Sequence, residues 1–233
     1  MISLSQRMRQ AEWMDEPNVD PAELRRSLKF IRRVNALFGY TRATLSHFDR
    51  FARSWRNDQP ITILDVATGS ADIPRAIARW AKQRQLDVRI VGLDRHALTA
   101  QMAHEQIRLE PNIEIVRGDA LRLPFADGSF DYVTTNMFLH HLDDDAVARV
   151  LSEMNRVARR GIVAADLLRN QRAYFWITLF TLFSSKMLKH DARVSVAQAF
   201  NEPEIKQLRD RAGIGYARFF HHFGHRFVLA GEK

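Results

Sequence analysis

Between residues 61 and 168 the chain alternates short apolar runs, each ending near an acid or amide, with longer stretches of helical periodicity. ITILDV (61–66), VRIVGLD (88–94), NIEIV (112–116), FDYVTTN (130–136) and GIVAADLL (161–168) read as strands. Residues 71–84, 96–109 and 143–159 read as the helices between them. The first has Ser70 or Asp72 as its N-cap and Pro74 in its first turn. Strands that are apolar along their whole length must be covered on both faces, and helices between them supply that cover, so a parallel sheet follows. The last segment departs from the pattern. GYARFFHHFGHRFVLAGE (215–232) holds two strands separated only by a tight turn at Gly224, an antiparallel hairpin closing the sheet. The expected fold class is α/β: a doubly wound, seven-stranded, mostly parallel Rossmann-like sheet with a C-terminal antiparallel hairpin.

Ahead of this domain, residues 1–20 are polar and read as a loose arm. Leu24, Leu28, Ile31, Val34, Leu37 and Phe38 then recur at helical spacing, Gly39 breaks the run, and Leu45, Phe48 and Phe51 carry a second helix. We therefore divide the chain into an arm and helical cap (1–58) and a main domain (59–233), with a lid-like helical insertion at about 169–200. With 233 residues and 46% hydrophobic content a real core is available. No stretch of 18 apolar residues suggests a membrane span, and the first residues lack a secretory apolar segment. The absence of cysteine excludes disulfides, thiol catalysis and zinc–thiolate sites, and fits a cytoplasmic enzyme. The net charge of +8 is scattered as arginines among aspartates, which describes a solvated surface rather than a nucleic-acid face.

Ligands of such sheets bind beyond the carboxyl ends of the strands. Those ends carry Asp65 with the small-residue turn ATGSAD, Asp94, Asp119 in RGDA, and Asn136 before MFLHHL. One acid at a strand end is commonly a helix cap, but three at successive ends beside a tight turn form a nucleoside site. A carboxylate at Asp94 can accept hydrogen bonds from both hydroxyls of a ribose, and one at Asp119 can accept a hydrogen bond from an exocyclic amine. A dinucleotide would want G-x-G-x-x-G against a pyrophosphate. Here Asp72 stands where a diphosphate would be repelled, so a ligand with a cationic end fits better.

On these residues the chain resembles the class I S-adenosylmethionine-dependent methyltransferases over about residues 60–168. LDVATGSAD is similar to the family's acid-x-Gly-x-Gly-x-Gly motif, with Ala67 and Ala71 replacing the outer glycines. VGLD is similar to the second motif, and RGDALRLPFADGSFDYVTTN to the third and fourth. The nearest branches are the ubiquinone- and menaquinone-biosynthesis C-methyltransferases and small-molecule O-methyltransferases. The resemblance implies S-adenosylmethionine as cofactor. It puts Asp65, Ala67, Thr68, Gly69 and Asp72 near the methionine end, Asp94 and Arg95 at the ribose, Asp119 and Ala120 at the adenine, and Asn136 and Met137 at the sulfonium.

His140 and His141, just past the fourth strand, are the candidate catalytic bases, since histidine titrates near neutrality; a structural role for either is the alternative. NQRAYFWITLFTLFSSKMLKH (170–190) strings aromatic and aliphatic residues along four or five turns of helix. It reads either as a core-packed helix or as a lid over an apolar acceptor, with possible contact to a membrane surface. Phe38, Tyr40 and Trp176 are candidate pocket walls, and His190 and Arg193 candidate readers of a polar acceptor group. HHFGH (221–225) alternates faces in a strand without accompanying acids, and no metal is assigned. The first expectation is O-methylation of a phenolic or quinol-type hydroxyl. The alternatives are C-methylation in quinone or polyketide synthesis, RNA methylation, and a non-catalytic cofactor-binding protein. Asn136-Met137-Phe138-Leu139, lacking the Asn/Asp-Pro-Pro-Tyr of base-amino enzymes, counts against nucleic acid.

Overall fold

The computed structural model describes residues 4–16, 18–37, 39–56 and 59–233, and the side chain of Leu37 is not among them. Seven strands form one sheet: β1 (Ile61–Val66), β2 (Val88–Asp94), β3 (Ile113–Arg117), β4 (Phe130–Asn136), β5 (Ala158–Leu167), β6 (Arg218–His222) and β7 (Arg226–Glu232), in the order β3-β2-β1-β4-β5-β7-β6. β1 to β5 pair in parallel, while β7 runs antiparallel to both β5 and β6. The chain reverses its direction of travel across the sheet between β1 and β4, so a crevice opens at their carboxyl ends.

Side chains alternate faces along each strand. Ile61 and Ile63 of β1 enter the core under α2 (Tyr40–Phe51), α3 (Asp72–Gln83) and α4 (Ala97–Gln106). Leu64 and Val66 enter the opposite core, under α5 (Asp144–Val157) and α8 (Glu202–Arg211). β4, at the centre, is buried at every position. Each large apolar side chain buried in these two cores contributes about 1.5–3 kcal/mol. α1 (Pro21–Leu37) and α2 meet at Gly39, whose φ of +83° is a left-handed conformation that glycine adopts without strain.

Three expectations are corrected. α3 starts at Asp72 with Ala71, not Ser70 or Asp72, in the cap position, and it has no side-chain cap. The aromatic segment is not one helix: α6 (Gln171–Phe180) ends in a turn, and Ser185 caps a new helix, α7 (Lys186–Gln198), by accepting from the Leu188 amide. α6 buries none of its residues, and Phe175, Phe180, Leu182 and Phe183 are exposed, which removes the core-packed reading. Nor is the arm loose. Met8 donates its amide to Ala197, and Trp13 and Met14 donate theirs to the Asp191 carboxylate at 2.8 and 3.1 Å.

Candidate active site

The turn after β1 places Ala67, Gly69 and Ala71 at φ near +57°, so alternate residues are left-handed. This tight return tucks Thr68 against β2. A Cβ on Gly92 would lie 2.8 Å from the Thr68 hydroxyl, which is why β2 carries glycine there. Asp65 is buried; one oxygen accepts from Thr68 at 2.7 Å and the other, Oδ1, has no partner. Burial first, and then the charges of Asp72 and Asp94, push its carboxyl up to about 8 against the Thr68 hydrogen bond.

Asp94 accepts from the Gly69 amide at 3.0 Å and from the His96 amide at 2.9 Å, tying the end of β2 to the turn. Asp72 is half-buried and accepts from Asn35 at 2.9 Å, with desolvation raising its carboxyl too. Asp119 is exposed and accepts from the Leu121 amide, while Ala120 beside it is buried. Arg95 lies exposed at the rim. Asn136 accepts from Thr44 of α2 and donates to Thr134, and Met137 follows at a φ of +55°. The sequence-predicted acids therefore come together along one edge of the crevice.

The two histidines lie elsewhere than a free base would. They occupy a short 3-10 turn, Leu139–His141. His140 is buried, with Nδ1 2.6 Å from Asp166 and Nε2 3.6 Å from Glu12. Burial disfavours its charge, but Asp166 and then Glu12 outweigh that and raise it to about 10, so it already holds a proton at neutral pH. His141 sits 2.6 Å from Asp15 and 3.9 Å from Glu12, and is raised in the same way against its own burial. Neither histidine lines the large cavity beside Met137, so the histidine-base expectation gains no support; Glu12, which both face, does line it. Donor atoms of Glu12, His140 and His141 lie within 4.8 Å of one another, close enough to hold a metal ion. The short contacts to Asp166 and Asp15 describe them as an ion-pair network fastening the arm. Glu12, Asp15 and Asp166 escaped sequence reasoning; only Asp166, an acid at the end of the fifth apolar run, left a signal.

A cavity of about 690 Å³ opens beside Met137. Val34, Tyr40, Leu167, Trp176, Ile177 and Phe180 are among its apolar walls, and Glu12, Asp191, His222 and Arg226 among its polar ones. Tyr40 and Trp176, read from the sequence as candidate pocket walls, both line this cavity. His190 and Arg193 do not line it. His190 instead stacks on Trp13 at 4.1 Å and contacts Asp191, because α7 turns that face toward the arm. Phe38 lies outside the described residues.

The general methyltransferase-domain family matches residues 63–161. A demethylmenaquinone methyltransferase of Staphylococcus carnosus is 36% identical over 108 residues, covering 46% of this chain and 43% of that protein. One from Staphylococcus aureus is 36% identical over 164 residues, covering 64% and 66%. The chain thus spans less than half the length of the first of these relatives. A SAM-dependent methyltransferase from Aquifex aeolicus superposes with a TM-score of 0.60 at 16% identity, over 91% of this chain and 98% of that one, which shows a shared fold. Residues 63–161 thus match a methyltransferase domain, and the chain shares the fold of solved S-adenosylmethionine-dependent methyltransferases.

The crevice has the features that a cationic donor such as S-adenosylmethionine needs. The unpartnered oxygen of Asp65 is a ready receptor for a cation, and a Cβ added at Gly69 would meet nothing within 4 Å, so the turn is open on its outer side. The two alanines that replace glycines in the motif hold left-handed backbone all the same. Among the described residues no helix is long and apolar enough to cross a membrane.

Proposed function

We propose that this protein is an S-adenosylmethionine-dependent methyltransferase that transfers a methyl group to a ring carbon of an apolar, hydroxylated aromatic acceptor of the quinol kind, held in the cavity beside Met137. The observation that carries the reading is the junction itself: an acid-rimmed crevice suited to a cationic donor meets a large, mainly apolar cavity at Met137. The relatives named for demethylmenaquinone support a quinone-type ring and favour carbon over a hydroxyl oxygen.

In this reading Asp65 receives the ammonium of the methionine end, Asp94 the ribose hydroxyls and Asp119 the adenine, while Asn136 and Met137 border the sulfonium. The donor supplies a methyl already activated by positive sulfur. The protein's task is alignment and exclusion of water, and such positioning can lower a barrier by about 7–11 kcal/mol. Tyr40 and Val34 form one wall for the ring, and Trp176 and Phe180 on α6 the other. Glu12, at the cavity edge, accepts from Ser195 at 2.6 Å, and its carboxylate is kept ionised against burial by His141 and His140. It is placed to take the proton of an acceptor hydroxyl as the ring carbon takes the methyl from sulfur, leaving S-adenosylhomocysteine; the ring hydrogen then leaves as a proton to solvent while the hydroxyl regains its own from Glu12.

The test is transfer of labelled methyl from S-adenosylmethionine to a cell extract, followed by NMR of the purified product. A methyl on a ring carbon supports the proposal; a methoxy group moves the reaction to oxygen, and label in RNA rejects the acceptor class.

A further inference from the structure

Arg226 opens β7, and its side chain is among the most deeply buried in the protein, 1% exposed. Its Nε and Nη1 have no hydrogen-bond partner, and among the described residues no carboxylate pairs with it. The ring of Tyr40 lies 3.6 Å from the guanidinium carbon, which satisfies the face of the cation but not the donors around its edge. Backbone closes around the group: a Cβ on Gly224 would lie 2.5 Å from Nη2, and one on Gly39 3.4 Å from Nη1. Asp166 is the negative neighbour whose charge reaches Tyr40, and it is already held by His140 at 2.6 Å, so it does not pair with Arg226. Burial and then Arg226 push His222 down, burial and then His222 hold His47 near 4, and burial keeps the Tyr40 phenol protonated.

A buried charge left unpaired is costly and is normally matched by an opposite charge. Here the match is missing, and Arg226, Tyr40 and His222 all line the acceptor cavity. The acids of that cavity, Glu12 and Asp191, belong to the arm and α7, whereas Arg226 sits on the terminal hairpin. We infer that Arg226 is the receptor for an anionic oxygen of the methyl acceptor, a carboxylate or phenolate on the aromatic ring. This rests on the proposed acceptor class and adds a charge requirement to it. The anion fills the empty donors of Arg226, while the hydroxyl at the acidic side faces Glu12, so the ring is fixed in one orientation.

The probes are 1-hydroxy-2-naphthoate, its neutral carboxamide and 1-naphthol, titrated into the intact protein saturated with S-adenosylhomocysteine and followed by calorimetry. The carboxylate should bind at least about tenfold tighter than the carboxamide, and Arg226→Gln should bring the two together while 1-naphthol binding is unchanged. Arg226→Lys, which keeps the charge, should retain part of the preference; it also serves if the glutamine variant fails to fold. Equal affinities for carboxylate and carboxamide in the natural protein would overturn the inference while leaving the apolar-cavity reading intact. Failure of all three probes to bind overturns both. If Arg226→Gln weakens S-adenosylhomocysteine but spares 5′-methylthioadenosine, which lacks the amino-acid end, the anion belongs to the cofactor and the inference is wrong.

Discussion

Replacing Asp65 with asparagine isolates the charge on which the cofactor reading turns. With no cation beside it, Asp65 titrates near 8 because it is buried near Asp72 and Asp94. An ammonium placed against its free oxygen demands the ionised form, so binding below pH 8 must expel a proton. Because half of the group is already protonated at pH 8, the affinity for S-adenosylhomocysteine then falls roughly 50-fold, or about 2.3 kcal/mol, between pH 8 and pH 6. Calorimetry in buffers of different ionisation enthalpy should count close to one proton released at pH 6. Asp65→Asn should bind about 10- to 100-fold more weakly at pH 8, the worth of a hydrogen bond to a charged group, and converge on the natural protein at pH 6. The stability of the cofactor-free protein carries the opposite sign. Below the ordinary aspartate pKa of 3.8 both folded and unfolded forms are protonated; above it the unfolded chain ionises first, so this group costs stability progressively up to about pH 8. The melting temperature of the natural protein should therefore drop relative to Asp65→Asn over that window. A flat affinity profile from pH 6 to pH 8 with no proton release refutes the argument.

Other consequences can be measured separately. Trp176→Ala strips a wall from the cavity and should raise KM for an apolar acceptor at least about tenfold while leaving cofactor affinity unchanged; unchanged acceptor kinetics reduce α6 to scaffold. Gly92→Val drives a side chain into Thr68, within 2.8 Å at its first carbon, and should cost about 1–3 kcal/mol in denaturant melts and loosen cofactor binding. Asp166→Asn removes the nearer partner of a buried cationic histidine and should cost about 3–5 kcal/mol. It should also speed proteolysis around residues 4–16, because His140 then holds Glu12 alone; an arm as resistant as before would detach it from this network.

The strands were legible where an apolar run ended sharply: 61–66, 88–94 and 130–136 match the structure residue for residue. β5 begins earlier than its apolar run, at Ala158, because Arg159 and Arg160 satisfy their charges on Asp131 at the sheet's rim and can stay in a strand. The acid edge of the crevice was visible because each acid follows its own strand. The arm was not. Its role depends on Glu12 and Asp15 meeting His140 and His141, over 120 residues distant, and no local pattern carries that pairing. Arg226 was hidden for a similar reason: in sequence it is one arginine after a turn, and only burial without an acid gives it meaning. The break between α6 and α7 was within reach, since Ser184-Ser185 inside an aromatic run is a helix-cap signal.

The most direct test of the account is a crystal structure with S-adenosylhomocysteine and the methylated product isolated by labelling. The account predicts the thioether sulfur beside Met137 and the product ring between Tyr40 and Trp176, with its new methyl directed at the sulfur. A product seated outside that cavity, or an adenosyl group bound away from the Asp65 turn, would contradict it.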